Sequence, residues 1–291
     1  MQNQRHYIGV SLMAFAMLAI PISDGIVKLL SEHHPVLFLN WMRFFVGGMI
    51  FTPLAFIFSR GTRYGMNELL SLTWRTALHV VAISLYFLAI ARVPLADALG
   101  AYFIAPIVAV VFAAWYLRES ISRLQMAAVL VGFMGAMIVV RPGASMNIGM
   151  VYAVLSGFVF GLFLVLTRKA GQTVAPIITL GFQCIVGTFL LLPIAIYYWT
   201  PVSWLDAALI FAAGIIWSVG HLAIVKAFSL APTSVLAPIV YMEIAGGAGI
   251  GYVLFGDLPS VGTMVGIMLV VLAGLLVKFR KGPSSDKVDV G

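Results

Sequence analysis

From position 7 onward the chain alternates apolar runs of about twenty residues with short stretches rich in Pro, Gly, Ser and charge. These stretches are SEHHP (31–35), RVP (92–94), RESISR (118–123), RPGASMN (141–147) and GDLP (256–259). A helix needs ~20 mostly apolar residues to cross a hydrocarbon layer of ~30 Å. Ten segments satisfy that requirement: 7–30, 35–58, 74–91, 95–117, 121–140, 148–167, 175–199, 204–228, 232–255 and 259–279. The pattern therefore predicts an all-α membrane protein with ten transmembrane helices. The first run is expected to be a span, not a cleavable leader, because it has full span length and no small-residue cleavage site. The polar stretch KGPSSDKVDVG (281–291) is expected to be a disordered cytoplasmic tail.

The pattern repeats. At a shift of 140, Ile8 and Gly9 align with Ile148 and Gly149, Lys28 with Arg168, Val46 and Gly47 with Val186 and Gly187, and Pro53 with Pro193. Later portions align at a shift of 138, pairing Pro94 with Pro232 and Glu119 with Asp257; one further insertion matches Gly135, Arg141 and Gly143 with Gly274, Arg280 and Gly282. This divides the chain into two five-helix repeats, residues 1–144 and 145–280, followed by the tail 281–291. Five is odd, so the second repeat enters the membrane from the opposite side. The expected architecture is two inverted repeats around a central cavity, an arrangement suited to alternating access.

Composition sharpens the picture. Of the 291 residues, 62% are hydrophobic and 9% charged, with a mean hydropathy of +1.08, against the ~25% charged residues usual in soluble domains. The net charge of +7 has no clustered basic stripe behind it, which excludes nucleic acid as a partner. Membrane topology accounts for it. With the N-terminus in the cytoplasm, Arg5, Arg60, Arg63, Arg75, Arg118, Arg123, Arg168, Lys169, Lys226, Lys278, Arg280, Lys281 and Lys287 all fall inside, which is 13 of the 17 basic residues. Both termini are thus expected on the cytoplasmic side of a bacterial inner membrane, in a multi-pass chain. The lone Cys184 excludes an intramolecular disulfide.

With its repeats, the LRES stretch (117–120) and LAPIVYMEIAGGAGIGYVLFGDLP (236–259), the sequence resembles the EamA-type members of the drug/metabolite transporter superfamily over residues 7–280. Asp24, Lys28, Pro35 and Arg43 make it most similar to the branch of S-adenosylmethionine and related organic-metabolite carriers. The resemblance implies a basket of helices around a central cavity, lined mainly from spans 1, 3, 4, 6, 8 and 9.

Charge within the spans carries the candidate chemistry, because an ionisable residue in lipid is expensive. Asp24 and Arg43 have nearly matched depths, and Lys28 shares a helix face with Asp24. This charge cluster is either a staple between spans 1 and 2 or a substrate and proton site, with Pro21 and Gly25 allowing a hinge beside it. Glu243 falls near the midplane in span 9, level with Trp217 and one turn from the level of His221. Together they suit an ammonium or sulfonium group, by ion pairing and cation–π attraction; the other reading is a protonated Glu243 bonded to a neighbouring helix. Tyr241, Tyr102, Tyr86 and Trp41 are further candidates for the substrate-binding wall. His79 is expected to be interfacial, and His33 and His34 lack the companions of a metal site. Asp97 is expected in a rim salt bridge with Arg92. Glu119 and Asp257 are expected to cap helices or pair at a gate, with Arg118 and Arg123 available to the first. GGAGIG (246–251) lies within an apolar span and points to close helix packing, not a phosphate loop.

These features favour a secondary transporter or facilitator of a small organic metabolite: an amino acid, an S-adenosylmethionine-like compound or another amine or zwitterion. No cofactor, metal or catalytic residue is expected. Protons are a candidate coupling partner, and the sequence leaves monomer or homodimer open. The alternatives are an intramembrane scaffold or receptor, for which the repeat has no purpose, and a lipid-active enzyme, for which no nucleophile and base share a depth.

Overall fold

The computed structural model describes residues 2–59, 64–93, 95–140 and 148–256, with positions 261, 264, 265, 268, 269 and 272 beyond them. The expectations for Arg60, Arg63, Arg141, Asp257, Lys278, Arg280, Lys281 and Lys287 lie outside the described residues, as do the side chain of Asp97, most of the tenth span and the tail.

The described chain is helical throughout. In order, the helices are α1 (Gln2–Leu30), α2 (Val36–Phe58), α3 (Met66–Ile90), α4 (Leu95–Tyr102), α5 (Ala105–Tyr116), α6 (Arg123–Val140), α7 (Ile148–Thr173), α8 (Pro176–Tyr197), α9 (Trp204–Leu230), α10 (Thr233–Val240) and α11 (Met242–Phe255). Among the described residues, seven helical stretches are long and apolar enough to cross a membrane: α1, α2, α3, α7, α8, α9 and the run Thr233–Phe255 formed by α10 with α11. Large apolar side chains such as Phe56, Trp74, Trp115, Tyr197 and Val253 point outward, while Asp24, Arg43, Arg75, His79, Gln183 and Glu243 are buried. A chain with lipid as its solvent has this inverted distribution.

Two expected spans are broken. Residues 95–117 divide into α4 and α5 around Phe103 and Ile104, because Pro106 supplies no N–H and its ring crowds the carbonyl four residues back, at Tyr102. Residues 232–255 divide at Tyr241, whose backbone stays near helical values (φ −61°, ψ −17°), so this break is mild. The two breaks are 138 positions apart, the register of the repeat. α3 begins at Met66, several residues before the expected 74, which carries Arg75 into the bundle, where it is fully buried. Arg75 is therefore not a surface charge of the inner loops, contrary to the topology expectation. α1 runs unbroken through Pro21, without the hinge that Pro21 and Gly25 allow.

Helix pairing follows the repeat closely. α2 and α8 are antiparallel: the Trp41 indole N–H donates to the Thr188 carbonyl at 3.1 Å, and Thr52 Oγ1 donates to the Gly181 carbonyl at 3.3 Å. Along this seam Gly187 lies against the Phe44 ring and Gly47 against Cys184, two contacts that exchange under the shift of 140. α1 runs antiparallel to α9, and α3 to α7, in matching register. A side chain at Gly9 would meet Ala231, Leu230 and the Ala227 carbonyl; at Gly149 it would meet Val93, Arg92 and the Ala89 carbonyl, the same positions moved by 138. Small residues permit this approach, which supplies the packing and polar contact that lipid-solvated helices cannot obtain from the hydrophobic effect. Within 246–251, the expectation of close packing holds for Gly246, against the Met17 carbonyl and Pro21, and for Gly247, against Leu99; among the described residues nothing lies within 4 Å of a side chain placed at Gly249, which is exposed, or at Gly251, which is buried.

A Cβ at Gly181 would overlap Ala55 and come within 2.7 Å of the Phe51 carbonyl. Gly181→Ala is expected to force α2 and α8 apart at a cost of roughly 1–3 kcal/mol. Gly249→Ala, in open space, should be neutral or slightly stabilising. Thermal melts of the two purified variants in detergent check this, and equal melts would refute the seam.

Candidate functional site

Between α1, α3, α4, α7, α9 and α11 lies a narrow cavity, of about 20 Å³, lined by Met17, Ile20, Asp24, His79, Ile83, Tyr86, Tyr102, Phe160, Trp217, His221, Ile224 and Glu243. Eight of these form four equivalent pairs in the repeat: Ile20 with Phe160, His79 with Trp217, Ile83 with His221, and Tyr86 with Ile224. The wall is thus symmetric in position but not in chemistry. Asp24, Tyr86, Tyr102 and Glu243 have no acidic or phenolic counterparts at the equivalent Leu164, Ile224, Val240 and Ala105.

The acidic side is built from three helices. Asp24 accepts a hydrogen bond from Arg43 Nη1 at 2.9 Å, and both residues are almost wholly buried, at 2% and 1% exposure. The Arg43 guanidinium also lies 5.0 Å over the Phe87 ring and 5.3 Å over Trp217, while its Nε and Nη2 have no hydrogen-bond partner. Burying two charges is expensive, and the short contact together with the aromatic faces offsets much of that cost. The Glu243 carboxylate, on the first turn of α11, is close enough to Asp24, Arg43, Tyr86 and Tyr102 to interact with them electrostatically. Among the described residues it has no hydrogen-bond or ion-pair partner, so the reading in which Glu243 is bonded to a neighbouring helix finds no such bond.

Rings form much of the wall. His221 packs against Trp217 with centroids 4.5 Å apart and against His79 at 4.6 Å, and His79 sits 4.4 Å from Phe163. Tyr86 and Tyr102 face each other at 5.2 Å, and Tyr102 meets Phe160 at 5.1 Å. The Tyr86 hydroxyl, the Trp217 indole N–H, both His79 nitrogens and His221 Nδ1 all lack hydrogen-bond partners. A polar group placed in the cavity would find these donors and acceptors already positioned.

The structure therefore brings together Asp24, Arg43, Tyr86, Tyr102, Trp217, His221 and Glu243. Three candidates, Tyr241, Trp41 and Lys28, stand outside the cavity lining. Tyr241 is buried against Gly132 and 5.5 Å from Phe103, at the α10–α11 break. Trp41 stacks on Phe45 at 4.9 Å and bonds to α8. Lys28 places its ammonium 5.4 Å from the Phe255 ring, so the ion partner of Asp24 is Arg43. His79, expected at the interface, is instead fully buried in the cavity wall, because α3 extends eight residues further than the apolar run suggested. A signal was available in the spacing: Arg75, His79, Ile83 and Tyr86 fall on one face of a helix. No group of His, Cys, Asp or Glu among the described residues is arranged to hold a metal ion.

One end of the bundle is tied together by a separate network. Arg168 on α7 bonds Glu119 Oε1 through Nε at 3.0 Å and the Phe228 carbonyl through Nη1 at 2.6 Å, and Glu119 Oε2 accepts from the Thr233 N–H at 3.0 Å, at the start of α10. Glu119 thus caps a helix and pairs at an end of the bundle, with Arg168 instead of Arg118 or Arg123. Lys169 donates to the Tyr116 hydroxyl at 2.7 Å beside it. His34 bonds Thr200 at 2.9 Å and Asp206 at 3.3 Å, tying the α1–α2 turn to the start of α9.

Antiparallel membrane-length helices around a buried, charged and aromatic cavity define a multi-pass membrane protein built to hold a solute. The chain belongs to the EamA-like transporter family, whose model matches it twice, at residues 7–141 and 147–279. It is a membrane transporter of that family and not an enzyme. It is 25% identical over 290 residues to the S-adenosylmethionine uptake transporter of Rickettsia bellii, covering 96% of each chain. It is 28% identical over 290 residues to the pseudopaline exporter CntI of Pseudomonas aeruginosa, covering 94% of this chain and 97% of the relative. With the riboflavin transporter of Vibrio cholerae it shares 25% identity over 205 residues, 68% of each chain. A solved crystal structure superposes with a TM-score of 0.74 at 17% identity, over 92% of this chain and 95% of the other, a likeness of fold.

Removing Asp24 alone leaves Arg43 as a buried, uncompensated cation, a change that costs roughly 3–5 kcal/mol. Asp24→Ala should therefore lower the melting temperature far more than the double variant Asp24→Ala/Arg43→Met. Melts of the four proteins in this cycle would discard the staple if the two losses simply added.

Proposed function

We propose that this protein is a secondary carrier of a small organic amine or zwitterion, working by alternating access between two inverted five-helix repeats, 1–144 and 145–280. The observation that carries the reading is Glu243: a buried carboxylate without an ion partner among the described residues, sharing the lining of one cavity with aromatic rings. A cationic group satisfies that carboxylate and is attracted by the faces of Trp217, Tyr102 and Tyr86. His221, His79 and the Tyr86 hydroxyl then orient the remainder of the solute. The Asp24–Arg43 pair holds α1 against α2 beside the site and keeps its own charge compensated, leaving Glu243 free to exchange ligands.

The matched wall positions support the mechanism. When equivalent residues of two repeats surround one cavity, the state open to one side and the state open to the other have similar packing, so a modest differential affinity shifts the population between them. The Arg168–Glu119–Thr233 network serves as the gate at one end, placed by the charge pattern on the cytoplasmic side, with both termini there as well. Ten spans, the tenth at 259–279, complete the two repeats. A proton competing with the substrate for Glu243 provides coupling without an additional site. The named relatives, which carry S-adenosylmethionine, pseudopaline and riboflavin, favour organic metabolites as the substrate class here.

A melt screen of amines, amino acids, S-adenosylmethionine and riboflavin on the purified protein is expected to identify a stabilising cation or zwitterion. In proteoliposomes loaded with that compound, counterflow of its labelled form should occur with wild type. Glu243→Gln, which keeps shape but removes the charge, should fold normally and lose counterflow at least about 100-fold. Undiminished counterflow in that variant would remove Glu243 from the mechanism.

A further inference from the structure

Arg43 and Arg75 are the buried arginines among the described residues, and only Arg43 has a carboxylate. Arg75 is fully buried on α3. Its Nε donates to Thr167 Oγ1 at 2.9 Å and its guanidinium lies 4.7 Å over the Phe163 ring, but Nη1 and Nη2 have no hydrogen-bond partner. A second orphan lies on α8, which packs against α3: Gln183 is fully buried, and neither its amide oxygen nor its amide nitrogen is partnered. Its chain neighbour Cys184 is close enough to Arg75 to interact with it electrostatically. A desolvated guanidinium with two idle nitrogens is costly in a membrane interior, and an anion seated on it removes most of that cost.

Arg75, His79, Ile83 and Tyr86 share one face of α3; the last three line the cavity, and Arg75 lies one turn beyond His79 on that face, outside the cavity lining and separated from it by the His79 and Phe163 rings. By helix rise, Arg75 is ~6 Å past His79 and ~16 Å from the level of Tyr86, the residue near Glu243. The bundle thus holds an uncompensated carboxylate toward one end of a ring-lined wall and an uncompensated guanidinium toward the other. A simple amine satisfies only the first and a simple anion only the second.

We propose that Arg75, assisted by Gln183, is a carboxylate subsite, and that the solute which satisfies both poles is an elongated zwitterion with its cationic group at Glu243 and its carboxylate at Arg75. The inference rests on the reading of Glu243 as the cation site. A free monoanion such as acetate offers the same chemistry to Arg75 and is the other source to be distinguished.

Thermal melts of the full-length protein in detergent, with 11-aminoundecanoate and its neutral amide 11-aminoundecanamide as probes, isolate the carboxylate because cation and chain are shared. 4-Aminobutyrate is the short control and acetate the free anion. Wild type is expected to bind the acid roughly tenfold more tightly than the amide, with no comparable gain from 4-aminobutyrate or from acetate added to the amide. Arg75→Gln should abolish that preference while keeping the response to the amide. Gln183→Ala should reduce it, and this variant carries the test if Arg75→Gln does not fold. Equal responses to acid and amide in wild type, a preference that survives Arg75→Gln, or full replacement of the carboxylate by acetate would each overturn the zwitterion subsite. If neither probe shifts the wild-type melt, the cation site and this inference fail together; if both shift it equally, only the carboxylate subsite fails.

Discussion

Helices dissolved in lipid gain little by burying apolar side chains against one another, so what holds them must come from close backbone approach and polar contact. In this protein that constraint is met at the α2–α8 seam, where Gly47, Gly181 and Gly187 let two antiparallel helices touch, with hydrogen bonds from Trp41 and Thr52 across the contact. The seam joins equivalent helices of the two halves, and the contacts exchange under the repeat. The flanking pairs α1–α9 and α3–α7 then take matching registers, as the contacts around Gly9 and Gly149 show. A cavity enclosed by these pairs inherits the relation, which explains why Ile20 and Phe160, or His79 and Trp217, occupy equivalent stations on its wall.

Symmetry of position makes the asymmetry of chemistry informative. Equivalent positions of the two halves meet at the cavity, yet Asp24, Tyr86 and Tyr102 of the first half and Glu243 of the second have only apolar counterparts, at Leu164, Ile224, Val240 and Ala105. Asp24, in the cavity wall, is compensated by Arg43 at 2.9 Å. Glu243 has no such partner among the described residues, in a medium where an isolated charge is tolerated only with a solute, a proton or water to meet it.

The sequence made the helical membrane class, the repeat and its register legible, because apolar run length and the spacing of Gly, Pro and charge are one-dimensional properties. The convergence of Asp24 with Arg43, and of Glu243 with Trp217 and His221, was also legible, since depth in a span can be counted in residues. Lateral placement was less accessible. Tyr241 and Trp41 have suitable chemistry but face other helices, and which face of a span meets the cavity depends on tertiary packing. His79 and Arg75 were misplaced for a different reason: the polar segment before residue 74 reads as a loop by hydropathy, yet it continues α3 by two further turns. The breaks inside the fourth and ninth spans were likewise invisible to a count of apolar residues, although Pro106 marks the first of them.

The central claim is that the cavity is reached from alternate sides by movement of the bundle end that Glu119 and Arg168 tie together. Tyr116 and Lys169, which meet at 2.7 Å beside that network, can be replaced by cysteines in a Cys184→Ser background and bridged with a short bifunctional thiol reagent. The account predicts that bridging stops counterflow of the stabilising solute in proteoliposomes and that reductive release of the bridge restores it. Counterflow that continues at its original rate across a fully bridged population would contradict it.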